Sequence, residues 1–228
     1  MARVLAVLHP GGGFPGVFAQ AAVQAGHEID EWTPATAPDP PRAPAEYDAL
    51  LVLGGEQNVC EQDRYPYLKD EIDFIREWLT SERPLLGVCL GAQLLAEATG
   101  GSVVRSQPRE LGWYDVELSD AGRADPVVGF GSLRFSAFEW HSYEARPPHG
   151  AGELARSATA LQAFRLGSAW GVQYHPEVTE AIVEGWIAES RDDGDHEPAA
   201  VFADVSRRLE PWTAYGREPF SRFAAQAA

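Results

Sequence analysis

The segment Gly87-Val88-Cys89-Leu90-Gly91 constrains the fold of this chain more than any other part of its sequence. It follows the apolar run Pro84-Leu85-Leu86 and opens a helical pattern at residues 93–98. A nucleophile with glycines two positions away on either side, at a corner between a strand and a helix, is typical of a nucleophile elbow, here with a thiol. Side chains at the flanking positions would collide in so sharp a turn, which favours glycine at both.

The predicted corner would also activate the sulfur of Cys89. It lifts the side chain out of the sheet and exposes it, and it places the sulfur at the positive end of a helix, where a thiolate is favoured over a thiol. Taken alone, the same five residues suit a tight turn around a small buried cysteine equally well. The rest of the chain has to decide between these two interpretations.

Length and composition indicate one soluble α/β domain that spans residues 1–228. Of the 228 residues, 45% are hydrophobic and 23% are charged, which is ordinary for a globular protein with a sizeable core. The 34 acidic and 18 basic side chains give a formal net charge of −16. This charge argues against nucleic acid or an anionic membrane as a main partner. We interpret the acidity as a solvated surface rather than as an acidic docking face.

The chain has only two cysteines, Cys60 and Cys89, so neither a disulfide framework nor a zinc site can be built from cysteine spacing. Residues 1–8 are apolar but have no cleavage-site pattern after them, so we expect a first strand there and not a signal peptide. No stretch approaches the roughly 18 apolar residues of a membrane span. These features predict a cytoplasmic protein whose thiols stay reduced, with Cys60 as a free thiol in a loop.

Strands and helices alternate in the first half of the sequence, which favours a parallel sheet with right-handed crossovers. In such sheets functional groups gather at the carboxyl ends of the strands, and Gly54-Gly55 and Cys89 both lie at such ends. After residue 101 the pattern changes to short strands and turns. The predicted strands are 3–8, 27–32, 49–53, 85–88, 114–118, 133–135, 161–164 and 169–174, and the predicted helices are 17–25 and 67–79.

The end of the chain is predicted to be helical at 178–190 and 197–209, with a polar break at 191–195. We find no internal repeat and no linker long enough for a second domain, so residues 191–228 are interpreted as a helical extension of the same domain. Four aromatic residues in this third of the chain are expected in the core, with a self-association face as the alternative. They are Trp186, Trp212, Phe220 and Phe223.

His175-Pro176-Glu177 supplies the other groups that a cysteine nucleophile needs. A thiol nucleophile requires a base that takes its proton, and the base requires a group that orients it. Proline pushes the preceding residue into extended geometry, in which positions two apart face the same way. Glu177 would then hold one ring nitrogen of His175 while the other faces Cys89. The alternative is a strand-end histidine followed by a carboxylate at a helix N-terminus.

A tetrahedral adduct on Cys89 needs backbone N–H groups that stabilise its oxyanion. The N–H of Leu90 is one candidate, and the loop Gly54-Gly55-Glu56 is the other, since glycine lets backbone approach a substrate closely. Two histidines elsewhere lie in segments that could approach this region. We expect His9 to have a loop role rather than to line the cleft, and His141 is the other histidine that could belong to the site.

Together these segments resemble the class I, triad-type glutamine amidotransferases. Residues 87–93 are similar to that family's nucleophile segment, residues 172–177 to its His-x-Glu segment, and residues 53–56 to its oxyanion loop, where many members have proline in place of Glu56. The likeness covers nearly the whole chain. Within the family, the sequence most resembles the branch that is similar to the amidotransferase domain of GMP synthetase. The supporting runs are 65–68, 110–113, 139–142 and 162–164.

The resemblance implies a fold and a reaction. The fold would be a three-layer α/β sandwich around a mostly parallel central sheet, with flavodoxin-like topology and the cysteine elbow at its carboxyl edge. In the reaction, Cys89 would attack the γ-carbonyl of glutamine or of a γ-glutamyl compound. His175 would shuttle the proton and Glu177 would orient His175. No metal or organic cofactor would be needed.

The resemblance also implies residues that contact the substrate. Leu90 and Gly55 would supply the two oxyanion donors, and Gln93 would help hold the glutamyl head group. Ser142 and Tyr143 lie where relatives clasp the α-amino and carboxylate groups of the substrate. In the GMP synthetase domain this segment commonly reads Ser-His-Gly-Asp, so the change to Ser142-Tyr143 leaves the identity of the substrate open.

Three functions remain compatible with the sequence. The chain contains no glycine-rich phosphate loop of an ATP pyrophosphatase domain. It could therefore be a separate glutaminase subunit that hands ammonia to a synthase. It could equally be a free-standing γ-glutamyl hydrolase, which releases glutamate and an amine on its own. The third function, a binding or regulatory protein without turnover, is disfavoured because all three triad residues are present.

Overall fold

The protein is built around one sheet. A computed structural model of the chain describes residues 1–189 and 198–227. In this part of the chain the structure has nine strands, numbered in chain order. They are β1 (Arg3–Val7), β2 (Glu28–Trp32), β3 (Ala49–Val52), β4 (Leu85–Val88), β5 (Ser102–Leu118), β6 (Arg134–Arg146), β7 (Gly152–Arg156), β8 (Leu161–Leu166) and β9 (Ala169–Val172).

Helices flank the sheet and lead into or out of its strands. The hydrogen bonds of the short turns Pro44–Glu46, Val59–Glu61 and Ala225–Ala227 are those of 3-10 helices. None of the helices in the two described ranges is both long enough and apolar enough to cross a membrane. The α-helices of the described residues are α1 (Gly16–Ala25), α2 (Tyr67–Leu79), α3 (Leu90–Ala98), α4 (Asp120–Ala124), α5 (Glu180–Glu189) and α6 (Pro198–Ala224).

The strand order is β2-β1-β3-β4-β9-β8-β7-β5-β6, and it divides the sheet into two halves. The first five strands in this order are parallel to one another, and the remaining four alternate in direction from β9 outwards. The predicted α/β class, with helices on both sides of a central sheet, is confirmed. The sheet itself is mixed, because an antiparallel half continues the parallel one.

The two faces of the parallel half are both buried, as its continuous apolar strands predict. Side chains alternate across a strand, so Leu51 and Leu53 pack into one core while Leu50 and Val52 pack into the other. The first core also contains the four aromatic residues named near the end of the chain, which confirms their predicted place in the core. They are Trp186, Trp212, Phe220 and Phe223.

The antiparallel half differs from its prediction. We predicted a strand at 114–118, but β5 begins at Ser102 and runs through 17 residues. Polar side chains interrupt its apolar pattern, and its pairing with β6 shifts in register between Arg105 and Glu110. A local pattern cannot show such a strand because its stability comes from the neighbouring strand. The predicted break at 191–195 lies outside the described residues.

Candidate active site

The elbow at Cys89 has the geometry that its glycines predict. β4 ends at Val88 and α3 begins at Leu90, and Cys89 between them has φ 50° and ψ −106°. A Cβ on Gly87 would meet the carbonyl oxygen of Gly91 at 2.5 Å, and one on Gly91 would overlap the carbonyl oxygen of Val52. Glycine is therefore required at both positions, and the cysteine adopts a backbone conformation that L-residues rarely take.

The sulfur of Cys89 is enclosed rather than open to water. Cys89 is only 5% exposed, so the expectation that the turn would expose it is wrong. Its N–H donates to the carbonyl oxygen of Val172 at 2.8 Å, which ties the elbow to the end of β9. Three residues after Val172 comes His175. Because β4 and β9 are neighbouring parallel strands, their carboxyl ends bring the nucleophile and the histidine together.

His175 and Glu177 form the predicted pair. Nδ1 of His175 lies 2.7 Å from Oε1 of Glu177, and both side chains are almost fully buried. Burial lowers the pKa of His175, but the charge of Glu177 and the charge and hydrogen bonding of Cys89 outweigh it and raise the pKa well above its usual value. Nε2 has no oxygen or nitrogen partner among the described residues. These contacts favour the protonated form of the ring beside the cysteine.

Backbone contacts hold this histidine segment from three sides. The N–H of His175 donates to the carbonyl oxygen of Phe138 on β6 at 2.9 Å. The indole N–H of Trp212, on α6, donates to the carbonyl oxygen of His175 at 2.8 Å. The carbonyl oxygen of Glu177 accepts from the N–H of Val17 on α1 at 2.9 Å. The position of the base is thus set by three elements that are far apart in sequence.

The loop after β3 lies against both reacting side chains. A Cβ on Gly54 would sit 3.0 Å from Cε1 of His175 and 3.6 Å from Cβ of Cys89. The predicted oxyanion donors flank this point: Gly55 follows Gly54, and Leu90 is the first residue of α3, where N–H groups have no acceptor in their own helix. Both predicted donors therefore lie next to the reacting side chains, and their contact with a substrate oxyanion remains a prediction.

The predicted substrate contacts are brought near one another. The side-chain amide of Gln93 is buried and donates to the carbonyl oxygen of Tyr143 at 2.9 Å. Ser142 and Tyr143 are half-buried on β6. Gln93 thus fastens the Ser142-Tyr143 segment to α3, the helix that starts at the nucleophile. Contact of these three residues with a substrate remains a prediction.

Sequence reasoning missed a buried pair behind the Gly54 loop. His9 was expected to have a loop role, but its side chain is fully buried, with Nε2 3.0 Å and 3.1 Å from the two carboxylate oxygens of Glu71. Its Nδ1 lies 3.0 Å from the carbonyl oxygen of Gly54. One signal was present: Glu71 occupies the apolar stripe of α2, between Leu68 and Ile75. A glutamate on such a stripe indicates a buried partner.

Trp186 was expected in the core, but its contact with His175 was not foreseen. Its ring packs edge-on against the imidazole of His175, with ring centroids 4.8 Å apart. Its indole nitrogen is buried and has no hydrogen-bond partner among the described residues. A Cβ on Gly12 would lie 3.4 Å from that nitrogen, so Trp186 forms a wall between the glycine loop after β1 and the base. It is a core residue that also shapes the site.

A third buried group consists of Glu110, Glu139 and His141, whose nitrogen and carboxylate oxygens lie within 4.8 Å of one another. Nε2 of His141 lies 3.0 Å from Glu110 and 3.2 Å from Glu139. Glu110 also accepts hydrogen bonds from Ser157, Thr159 and Gln162 at 2.7, 2.5 and 2.6 Å. Because these donors occupy both oxygens of Glu110, we interpret the group as a hydrogen-bond network rather than as a metal centre.

Charge is balanced inside this network. Burial lowers the pKa of His141, but its hydrogen bonds to Glu110 and Glu139 outweigh this effect and raise the pKa to about 10. Burial raises the pKa of Glu110, yet its hydrogen bond with His141 is among those that bring it below its usual value. Burial raises the pKa of Glu139. The network therefore favours an ionised Glu110 beside a protonated His141, and burial shifts Glu139 towards its neutral form.

Comparison with known proteins places the chain in one family. A family model described as glutamine amidotransferase class-I matches residues 11–183. A solved structure of a glutamine amidotransferase from Thermotoga maritima superposes with a TM-score of 0.88, at 29% identity, over 98% of both chains. The glutamine amidotransferase-like protein YfeJ of Salmonella typhimurium is 31% identical over 84% of this chain and 82% of its own length.

Two further relatives differ in what they are named for. The γ-glutamyl-L-1-hydroxyisopropylamide hydrolase of a Pseudomonas species is 32% identical over 66% of this chain, and the match spans 55% of that enzyme. One subunit of the glutamine-hydrolysing GMP synthase from Sulfurisphaera tokodaii is 34% identical over 61% of this chain and 73% of its own length. The likeness thus extends to proteins of more than one activity.

Proposed function

Because the chain belongs to the class I glutamine amidotransferase family, we propose that it cleaves the γ-amide of glutamine, or of a related γ-glutamyl compound, through a thioester on Cys89. The observation that carries this proposal is the placement of the three side chains. Cys89 sits at a strained elbow, and His175 beside it is hydrogen-bonded to Glu177 at 2.7 Å. Nucleophile, base and orienting carboxylate then occur in the order that acyl transfer requires.

The sulfur of Cys89 attacks the γ-carbonyl carbon, and the electron pair of the carbonyl bond moves to its oxygen. The N–H groups of Leu90 and Gly55 stabilise this oxyanion. When the adduct collapses, the carbon–nitrogen bond breaks, and His175 gives its proton to the leaving ammonia or amine. Water then attacks the thioester with His175 as base, and the products are glutamate and the regenerated thiol.

Glu177 keeps the ring of His175 in one orientation and one proton arrangement. With Nδ1–H donated to the carboxylate, Nε2 is the nitrogen that exchanges a proton with sulfur and substrate. The raised pKa of His175 supports this role, since a protonated ring can act as the acid that the departing nitrogen needs. Gln93, Ser142 and Tyr143 hold the α-amino and carboxylate end of the substrate in this proposal.

The fate of the nitrogen gives two forms of the proposed function. In the first, ammonia passes to a separate synthase, as the likeness to one component of a GMP synthase suggests. In the second, the protein is a free-standing γ-glutamyl hydrolase. The likeness to a γ-glutamyl amide hydrolase supports this second form, while Ser142-Tyr143 in place of the Gly-Asp of GMP synthetase domains leaves the identity of the substrate open. A binding protein without turnover is the third outcome of the test.

We further propose that residues 1–228 form one amidotransferase domain and that the protein works in the cytoplasm. The contact of Trp212 on α6 with His175 supports the first statement, because the end of the chain then serves the same site. Two free cysteines, Cys60 exposed and Cys89 buried, support the second, since a reducing compartment keeps both as thiols.

Glutamate release from glutamine and from a γ-glutamyl dipeptide tests the proposal. Fast cleavage of the dipeptide by the isolated protein indicates the hydrolase. Slow cleavage of both, with Cys89 still alkylated by a glutamine-like electrophile, indicates a glutaminase subunit that requires its synthase. No cleavage and no alkylation of Cys89 would contradict both forms and leave the binding protein.

A further inference from the structure

The buried pair His9–Glu71 lies behind the loop that carries the predicted oxyanion donor. His9 follows β1 and Cys89 follows β4, and both strands pair with β3, one on each side. At the carboxyl edge of the sheet, Gly54 at the end of β3 is therefore placed between the histidine and the nucleophile. The carbonyl oxygen of Gly54 is directed to the β1 side, 3.0 Å from Nδ1 of His9.

The direction of this carbonyl fixes the direction of the next N–H. The peptide between Gly54 and Gly55 is trans, because the cis bond of the described chain is at Gln107–Pro108. In a trans peptide the C=O and the N–H point in opposite directions. With the carbonyl of Gly54 held towards His9, the N–H of Gly55 points to the β4 side, where Cys89 lies. A half-turn of this peptide would present an oxygen instead of a donor to the reacting carbonyl.

Both hydrogen-bond partners of His9 are acceptors. Glu71 offers two carboxylate oxygens to Nε2, and Gly54 offers a carbonyl oxygen to Nδ1. A neutral imidazole has only one N–H, so with Glu71 as a carboxylate both contacts require the doubly protonated ring. The charge of Glu71 and the hydrogen bonds of His9 outweigh the opposing effect of burial and raise the pKa of His9 accordingly. The carbonyl of Gly54 thus receives a charge-assisted hydrogen bond.

From this placement we propose that His9, held by Glu71, is a positioning residue that locks the Gly54–Gly55 peptide with its N–H turned towards the substrate oxygen. The hydrogen bond on the carbonyl also polarises the peptide, which makes the N–H of Gly55 a stronger donor. The inference rests on the proposed function, because it assigns the support of an oxyanion donor. Its effect should appear when the oxyanion forms and not when the substrate binds.

Two substitutions of His9 separate positioning from packing. The amide nitrogen of asparagine can occupy the place of Nδ1, so His9→Asn keeps a donor to Gly54 and loses Glu71. The amide of glutamine reaches the place of Nε2, so His9→Gln keeps Glu71 and loses the donor to Gly54. Both remove the ion pair and retain a polar side chain. Glu71→Gln completes the set, since its side-chain NH2 can donate to Nε2 of a neutral ring while Nδ1–H stays on Gly54.

We expect His9→Gln to lower kcat by about 100-fold, the usual effect of one impaired oxyanion donor, with KM changed little. We expect His9→Asn and Glu71→Gln to stay within about tenfold of the wild type. Ile75→Ala is the matched control, because it truncates the same buried face of α2 one turn beyond Glu71 and destabilises the core without a polar change. Its kcat should equal that of the wild type while it remains folded.

A second readout separates the oxyanion step from the reactivity of the thiol. The γ-aldehyde analogue of glutamine forms a tetrahedral adduct with Cys89, whereas iodoacetamide alkylates the sulfur without an oxyanion. In His9→Gln, affinity for the aldehyde should fall in parallel with kcat, and the rate of alkylation should not change. Equal kcat in His9→Asn and His9→Gln, or a loss no greater than in Ile75→Ala, would overturn the inference alone. Wild-type protein that neither turns over substrate nor binds the aldehyde would overturn the proposed function, and the inference with it.

Discussion

The two halves of the sheet contribute to the site in different ways. In the parallel half, β1, β3, β4 and β9 have four or five residues each, nearly all apolar and buried, and the site groups follow their carboxyl ends. In the antiparallel half, β5 and β6 are long and carry buried charged side chains inside the sheet. The short strands of the parallel half position the reactive groups at their carboxyl ends. The antiparallel half contains a network of buried charged groups next to the predicted substrate contacts Ser142 and Tyr143.

Because of this difference, we expect the two halves to respond differently to substitution. At the elbow, the close approach of backbone atoms at Gly87 and Gly91 leaves no room for a side chain, so small changes should act on folding or on chemistry directly. Four other polar side chains contact the charge pair of Glu110 and His141, so a change there should act on stability and should depend on pH. Four substitutions test this contrast, from the largest expected effect to the smallest.

Cys89→Ser should abolish turnover, with a loss of at least about 1,000-fold, because the hydroxyl is a far weaker nucleophile than the thiol at this position. Glutamate release from a γ-glutamyl dipeptide measures the loss. Far-UV circular dichroism and the midpoint of urea unfolding should match the wild type. Turnover that survives the substitution would remove Cys89, and with it the elbow, from the chemistry.

Glu177→Gln should lower kcat by about 100- to 10,000-fold while KM changes little, since the amide holds His175 in place but no longer stabilises its protonated form. The expected range follows from comparable substitutions in triad enzymes. Steady-state kinetics with the same dipeptide provide the test. A rise in KM at constant kcat would show that Glu177 serves substrate binding and not the orientation of His175.

Gly91→Ala should lower the free energy of unfolding by about 3 kcal/mol or more, because the added methyl group overlaps the carbonyl oxygen of Val52 and the main chain must shift. Gly185→Ala on α5 is the control, since a Cβ there meets nothing within 4 Å. It should leave stability unchanged or raise it by about 1 kcal/mol at most. Similar urea midpoints for the two variants would contradict the close packing of the elbow.

Glu110→Gln should lower the free energy of unfolding by about 2 kcal/mol near pH 6, and the loss should shrink as the pH rises towards 10. The folded-state pKa of His141 is raised to about 10 from 6.5, so the stability that it contributes is complete below pH 6.5 and is lost as pH rises through about 10. The pKa of Glu110 is lowered, so its contribution fades only in acid.

Urea unfolding of the wild type and of Glu110→Gln between pH 5 and pH 10 measures this difference. Other buried histidines titrate in both proteins, so the difference between the two curves isolates the pair of Glu110 and His141. A difference that stays constant across this range would mean that the hydrogen bonds, and not the charge of His141, stabilise the antiparallel half.

The sequence predicts the parallel half well, for a physical reason. A strand that is buried on both faces is a continuous apolar run, and an elbow needs glycine at fixed spacing, so both signals are local. The four strands and two helices predicted before residue 89 are found within two residues of their expected bounds. The pairing of His175 with Glu177 was also predictable, because the two lie only two positions apart, although Pro176 and Glu177 form a turn and not the extended chain that was expected.

The remaining features depend on contacts between distant residues. His9 and Glu71 are 62 positions apart, and Glu110 and Gln162 are 52 positions apart, so no local pattern joins them. The length of β5 depends on pairing with β6. The contact of Trp186 with His175 depends on how α5 packs against the segment that follows β9. In each case the tertiary structure decides what a single polar or aromatic residue does.

The hydrogen bond from Trp212 to the carbonyl of His175 has a consequence for how relatives are compared. The shared family region ends at residue 183, while Trp212 lies on α6 beyond it. Two homologues with identical cysteine and histidine motifs can therefore diverge in rate through segments that a motif alignment leaves out. Transferring an activity from one member to another requires the helix behind the base to be compared as well as the motif itself.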